Sequence, residues 1–113
     1  MSSSDTVQND DPTFESLGLN PTSLSAIKAA GFEKPSPIQA AFIPIAVQGI
    51  DAIGLARTGT GKTTAFVMPI LEQIDLTVNI PQALIVAPTR ELSEQVSKEA
   101  EKLSIHSPCN TVC

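Results

Sequence analysis

An α/β layer fold with a doubly wound parallel sheet is the class this sequence predicts, and three observations predict it. The first is Ala56-Arg57-Thr58-Gly59-Thr60-Gly61-Lys62-Thr63, a phosphate-binding loop pattern set between a short apolar run, Ala52-Ile53-Gly54-Leu55, and a helical stretch. The second is Ala83-Leu84-Ile85-Val86-Ala87, a continuous apolar run of the kind that suits a strand buried on both faces. The third is the alternation of such runs with segments of helical period, the pattern of βα units with crossover helices.

Taken in order, residues 1–13 carry Asp5, Asp10 and Asp11 with almost nothing apolar and read as a disordered acidic tail. Asn20-Pro21 starts a first helix, with Asn20 as N-cap, Pro21 at the first helical position, and Leu19 packing on Leu24 as a hydrophobic staple; Gly31 closes it. Ser36-Pro37 opens a second helix, which Pro44 is expected to break or kink before Gly49-Ile50-Asp51 turns the chain into the strand at 52–55. The helix after the loop runs from about Lys62 to Ile74 and should bend at Pro69. Beyond the strand at 83–87 and Pro88, the residues Leu92, Val96, Ala100 and Leu103 repeat at three to four and mark an amphipathic helix, with Glu94, Lys98, Glu99 and Lys102 mostly outside the apolar stripe. Asn110-Thr111-Val112-Cys113 reads as the start of a third strand. Three strands seldom complete a doubly wound sheet, so the domain is expected to be incomplete, a truncated part of a larger unit.

Composition bounds the function. At 113 residues and 42% hydrophobic, the chain has the length of one small domain and enough apolar content for a core. The net charge is −5, but outside the tail nine acids face seven bases, so there is no basic footprint of the kind a self-sufficient nucleic-acid binder shows, and any such contact must be local. There is no signal-peptide pattern at the start, and Pro44, Gly49 and Asp51 interrupt the stretch from Ala40 to Ala56, which argues against a membrane span and for a cytoplasmic location. Cys109 and Cys113 would lie roughly 13 Å apart in a strand, too far for a disulfide, and with one distant His106 they make no zinc pattern.

The loop names its ligand class. Small residues let successive backbone N–H groups turn toward phosphate oxygens, and the following helix presents its positive end to them. Lys62 reaches the β- and γ-phosphates, and Thr63 offers its hydroxyl to Mg²⁺. The first glycine of the strict pattern is Ala56 here. A nucleoside triphosphate site over Ala56, Arg57, Thr58, Gly59, Thr60, Gly61, Lys62, Thr63 and Thr64 is the expectation, with Lys62 and Thr63 in the catalytic roles.

Two further strings flank that loop. Gly31-Phe32-Glu33-Lys34-Pro35-Ser36-Pro37-Ile38-Gln39 precedes it, and Pro88-Thr89-Arg90-Glu91-Leu92 follows. Together with the loop they resemble the DEAD-box RNA helicase family, over roughly residues 14–103. The resemblance implies a P-loop NTPase of RecA-like fold, with an adenine-reading Q-motif region at 14–39, the phosphate loop at 56–63 and an RNA-backbone motif at 88–92. It implies ATP and Mg²⁺ as cofactors, and RNA, single-stranded or in short duplexes, as partner. In that family the glutamine corresponding to Gln39 reads adenine, for which an amide has both donor and acceptor. On residue types alone Ser36-x-x-Gln39 equally fits a capping box; the whole nine-residue string favours adenine. Phe14, seventeen residues before Gly31, stands where the family packs an aromatic near the adenine pocket, and fits a plain core residue as well. Phe32 is open between packing and base stacking. The resemblance gives Pro88, Thr89 and Arg90 to the RNA backbone, whereas bare residue types allow Thr89 as a helix cap and Arg90 in an ion pair. Arg57 stands where many relatives have glutamine and is expected to face solvent.

The family resemblance further implies an Asp-Glu-Ala-Asp segment, a Ser-Ala-Thr segment and a second domain carrying arginines, none of which occurs here. The expected function is therefore ATP-dependent unwinding of short RNA duplexes by the intact protein, with this chain supplying the adenine and phosphate sites and inactive alone. The rivals are another P-loop helicase or ATPase acting on DNA, and a non-catalytic nucleotide-binding adaptor module.

Overall fold

The computed structural model describes residues 11–56 and 61–106. Most of the expected tail, residues 57–60 of the phosphate loop, and the strand and cysteines expected near the C-terminus lie outside them. A 3-10 turn, Phe14–Leu17, is followed by four helices: α1 (Pro21–Ala29), α2 (Pro37–Ala46), α3 (Lys62–Gln73) and α4 (Arg90–Leu103).

Local chemistry accounts for each start and stop. Thr13, the last residue assigned to the tail, instead caps the 3-10 turn, in a capping box with Ser16, and turns Phe14 and Leu17 inward. Asn20 caps α1 by accepting from the Ser23 N–H at 2.8 Å. Leu19 is buried and Leu24 packs on the same core, as the staple requires. Gly31, at φ +93°, ends α1: its N–H donates to the Lys28 carbonyl and the Phe32 N–H to the Ile27 carbonyl, the paired bonds of a Schellman motif, with Phe32 and Ile27 in contact with one core.

Both helix-interior prolines are tolerated. Pro44 is expected to break or kink α2 but lies in its last turn, and the helix continues to Ala46. Pro69 sits well inside α3, which continues to Gln73. A proline removes one ladder bond. Farther along, the Gln73 side-chain amide donates to the carbonyls of Pro69 and of Ala46, tying α3 to α2.

The core joins Phe14, Leu17, Leu19, Ile27, Ile43, Val67, Met68, Ala100 and Leu103. Helix α3 is its axis and contacts α1, α2 and α4. Glu72 reaches back from α3 to the start of α1, accepting from the Asn20 N–H at 2.9 Å and the Ser23 hydroxyl at 2.5 Å. A carboxylate placed at a helix N-terminus also meets the positive end of that helix.

The predicted sheet is the main departure. Among the described residues there is no strand, and the segments 52–55 and 83–87 run without ladder partners. Ile53 and Leu84 are about nine-tenths exposed, at 91% and 88%. The physical reason is that an apolar strand of this kind is stable only with neighbours on both edges and cover on both faces, and burying one such side chain is worth about 1.5–3 kcal/mol. No helix among the described residues is long and apolar enough to cross a membrane.

Asp75 organises the loop after α3. Its carboxylate accepts from the Thr77 hydroxyl at 2.6 Å and the Thr77 N–H at 3.0 Å, while Gln82 bonds the Asp75 backbone on both sides. The Thr77 hydroxyl chiefly, and its N–H next, hold the Asp75 carboxyl below its ordinary value of 3.8. A depressed carboxyl stabilises the folded loop above the ordinary carboxylate range and loses that contribution as pH falls through the lowered value. Thr77→Val is expected to move the Asp75 midpoint up toward its ordinary value in a carboxyl NMR titration; an unchanged midpoint would refute the assignment.

Candidate nucleotide-binding site

Two helix N-termini meet around one side chain. Ser36 caps α2, and Gln39 returns the bond: its Oε1 accepts from the Ser36 N–H at 2.8 Å while the Ser36 Oγ accepts from the Gln39 N–H at 3.4 Å. The other end of the same amide, Nε2, donates to the Gly61 carbonyl at 3.3 Å. Gln39 is 1% exposed, so the amide is fixed where it sits. The capping box is therefore realised, and each amide group still has capacity left: one N–H on Nε2 and one lone pair on Oε1.

Gly61 is the residue before α3 and has a left-handed φ of +82°. A Cβ there would overlap the Gln39 amide and come within 3.3 Å of the Ser36 Oγ, so both backbone angle and space require glycine. No side chain caps α3 and no acid lies in its first turn. The first amides of α3 are thus left for an anion, and the residue chemistry fits a phosphate group.

Lys62 is exposed and has no hydrogen-bond or ion-pair partner among the described residues. Thr63 is half-buried beside it. Thr64, placed with the ligand residues by sequence, is 1% exposed, and its hydroxyl donates to Glu99 Oε2 of α4 at 3.3 Å. Its side chain faces α4. Ala56 is half-buried at the edge of the described loop, and Arg57, Thr58, Gly59 and Thr60 lie outside the described residues.

An open groove of about 850 Å³ runs from this point. Phe32, Ile38 and Phe42 give it one apolar wall, Lys62 and Thr63 its polar end, and Leu92 and Glu99 the side of α4. Phe32 lines the groove and stays half-buried, whereas Phe14 is 4% exposed and packs edge to face on Phe32, ring centroids 6.4 Å apart and planes at 68°. Phe14 thus buttresses Phe32 from the core side.

At the other motif, Thr89 caps α4, accepting from the Leu92 N–H at 3.1 Å. Arg90 is exposed at the first helical position with no ion-pair partner among the described residues, which sets aside the pairing that bare residue types allowed. Pro88 lines the same groove as Lys62. The carboxylates Glu72 and Glu99 are the contributors that sequence missed. The amphipathic pattern puts Glu99 with the outward charges of the helix, yet it stands one turn from Val96 and Leu103, at the border of the stripe.

Comparison with known proteins follows the same residues. The DEAD/DEAH box helicase family matches residues 36–113, from the Ser36 cap onward. The chain is 52% identical over 91 residues to the DEAD-box ATP-dependent RNA helicase CshA of Geobacillus kaustophilus, covering 80% of this chain and 20% of that protein. It is 49% identical over 86 residues to the ATP-dependent RNA helicase DeaD of Buchnera aphidicola subsp. Schizaphis graminum, covering 76% of this chain and 14% of that one. Among solved structures it is similar to the RNA helicase Prp28 of Chaetomium thermophilum bound to ADP, with TM-score 0.74 and 43% identity over 83% of this chain and 24% of that chain. The chain thus spans no more than about a quarter of the proteins it resembles, while the match takes in the Ser36–Gln39 cap, Gly61, Lys62 and the Thr89-Arg90 helix start. It belongs to the DEAD/DEAH box helicase family.

Proposed function

We propose that this chain is the adenine- and phosphate-binding part of the first RecA-like domain of an ATP-dependent RNA helicase. The observation that carries the reading is the start of α3, which has no side-chain cap, where Gly61 lies against Gln39 and Lys62 follows, unpaired among the described residues. The domain divides into a tail ending before the Thr13 cap and a binding unit from there to 113, with the adenine region at 14–39, the phosphate loop at 56–63 and the RNA motif at 88–92. In the complete domain the unpaired segments 52–55 and 83–87 become strands of a parallel sheet, cover that their exposed Ile53, Leu55, Leu84 and Val86 call for. The protein works in the cytoplasm and opens short RNA duplexes.

Each residue has a distinct task in that reading. Phe32 stacks on the base and Gln39 reads its edge with the N–H and lone pair that the cap leaves over. The α3 amides and Lys62 hold the β- and γ-phosphates, and Thr63 is the protein ligand of Mg²⁺. When bound, Mg²⁺ neutralises charge on the transferring phosphoryl group. Thr89 keeps its hydroxyl hydrogen free while capping α4, and with Arg90 it takes an RNA phosphate.

Lys62→Ala in the complete gene product is expected to weaken ATP binding roughly tenfold to a hundredfold, the value of about 1.5–3 kcal/mol for a hydrogen bond to a charged group. Calorimetry giving equal affinities would overturn the phosphate-site assignment.

Gln39 is both cap and proposed base reader, and a pair of variants separates the two. Ser36→Ala removes the cap acceptor alone and should lower ATP and GTP affinity alike, by the effect of losing about 1 kcal/mol of helix capping. Gln39→Ala should lower ATP affinity more than GTP affinity. Competition binding in which both variants act equally on both nucleotides would leave Gln39 as a cap only.

The 113-residue chain by itself is expected neither to hydrolyse ATP nor to unwind RNA. It holds a phosphate cradle without a carboxylate pair to orient water or arginines for the γ-phosphate, a contribution worth about 10³–10⁵ in rate in P-loop enzymes. RNA-stimulated phosphate release from this chain, abolished by Lys62→Ala, would contradict it.

A further inference from the structure

Residues that touch neither ligand still have to hold α3 and α4 in one arrangement, and one polar contact between them is recorded beside the phosphate site. The Thr64 hydroxyl donates to Glu99 Oε2 at 3.3 Å, with Thr64 1% exposed and Glu99 half-buried at the groove wall. Thr64 belongs to the first turn of α3, immediately after Lys62 and Thr63; Glu99 belongs to the helix that begins at Arg90. Nine residues of helix separate Arg90 from Glu99, about 14 Å at 1.5 Å per residue, and a helix of that length moves as a rod. No buried side-chain nitrogen or oxygen among the described residues lacks a partner, so this contact satisfies a group that would otherwise be stranded. Deprived of Glu99, the buried Thr64 hydroxyl loses its acceptor, and the cost of a stranded polar group falls on the turn that also carries Lys62 and Thr63.

We infer that Glu99 is a positioning residue: through the Thr64 hydroxyl it sets the first turn of the phosphate helix according to the placement of α4, and so couples RNA contact at Thr89 and Arg90 to nucleotide affinity. The inference rests on the proposed reading of those two sites. Gln95, one turn before Glu99, also lines the groove but has no hydrogen bond to α3, which singles out Glu99.

The test measures binding of a non-hydrolysable ATP analogue to the complete gene product, with and without a uridine decamer. The ratio of the two affinities is the coupling, typically about 5-fold to 150-fold where two sites communicate. Glu99→Leu keeps bulk and removes the acceptor; it is expected to reduce the ratio to below roughly twofold while the melting temperature stays near that of the wild type. Glu99→Gln retains an acceptor oxygen and should keep the ratio. Thr64→Val, nearly the same shape without the hydroxyl, should reproduce Glu99→Leu, and the double variant should lose no more than either single one. This pair carries the test if Glu99→Leu folds poorly. A wild type that binds the analogue with the same affinity in both conditions would overturn the RNA reading and this inference together. A wild type that couples the two ligands, with Glu99→Leu or Thr64→Val coupling them equally well or Glu99→Gln failing to do so, would overturn the inference alone.

Discussion

The side-chain amide of Gln39 is the contact on which the site depends. One end closes the N-terminus of α2 by accepting from Ser36, and the other holds the Gly61 carbonyl at the N-terminus of α3. A single planar group thereby fixes the separation and mutual angle of two helix starts, because neither hydrogen bond survives much displacement of the other. Being 1% exposed, the amide competes little with water for these partners. Glycine at 61 follows from the same contact, since any Cβ there meets the amide. What looks in sequence like a glycine needed for phosphate approach is also a glycine needed for helix packing.

Helix α3 is then held along its length by groups from three other elements. Gln39 anchors its start, Thr64 meets Glu99 of α4 in the first turn, Gln73 reaches Ala46 of α2, and Glu72 grips the start of α1. Between these polar ties Val67 and Met68 are in the shared core. Pro69 removes a ladder bond from the helix, and the surrounding contacts tolerate the loss. A helix so constrained suits a binding role, because ordering it for a ligand costs little further conformational entropy.

Helix boundaries were legible in the sequence because their causes are local. Asn20-Pro21, Gly31, Ser36-Pro37 and Thr89 each act within a few residues, and each stands where the capping rules put it. Among the described residues the strands at 52–55 and 83–87 are not realised because a strand is defined by its neighbours: Ala83 to Ala87 has the right composition, yet composition supplies no partner edge. The residues proposed for phosphate form a spaced string in the sequence, whereas Glu72 and Glu99 carry no such signal. Glu99 sits among the solvent-facing charges of α4 and Glu72 is the lone acid near the end of α3, and only packing of one helix on another decides which charge turns inward. Thr64 shows the converse: adjacency to Thr63 suggested a ligand side chain, and a helical step of about 100° per residue sends its hydroxyl to α4 instead.

A weakly acidic chain and a polyanionic ligand are compatible when charge is placed rather than accumulated. The two helix starts differ in how they would meet phosphate. At α3 no cap and no first-turn acid intervene, so the helix end and Lys62 act together. At α4 Thr89 already satisfies one amide and Glu91 lies in the first turn, so the helix end is largely spent on its own residues and Arg90 is left without a partner among the described residues. The first arrangement would suit a compact, highly charged phosphate chain; the second would offer one forked cation to a single backbone phosphate and leave specificity to other contacts. That asymmetry is what a protein needs if it must hold its nucleotide in one geometry and take up RNA of any sequence.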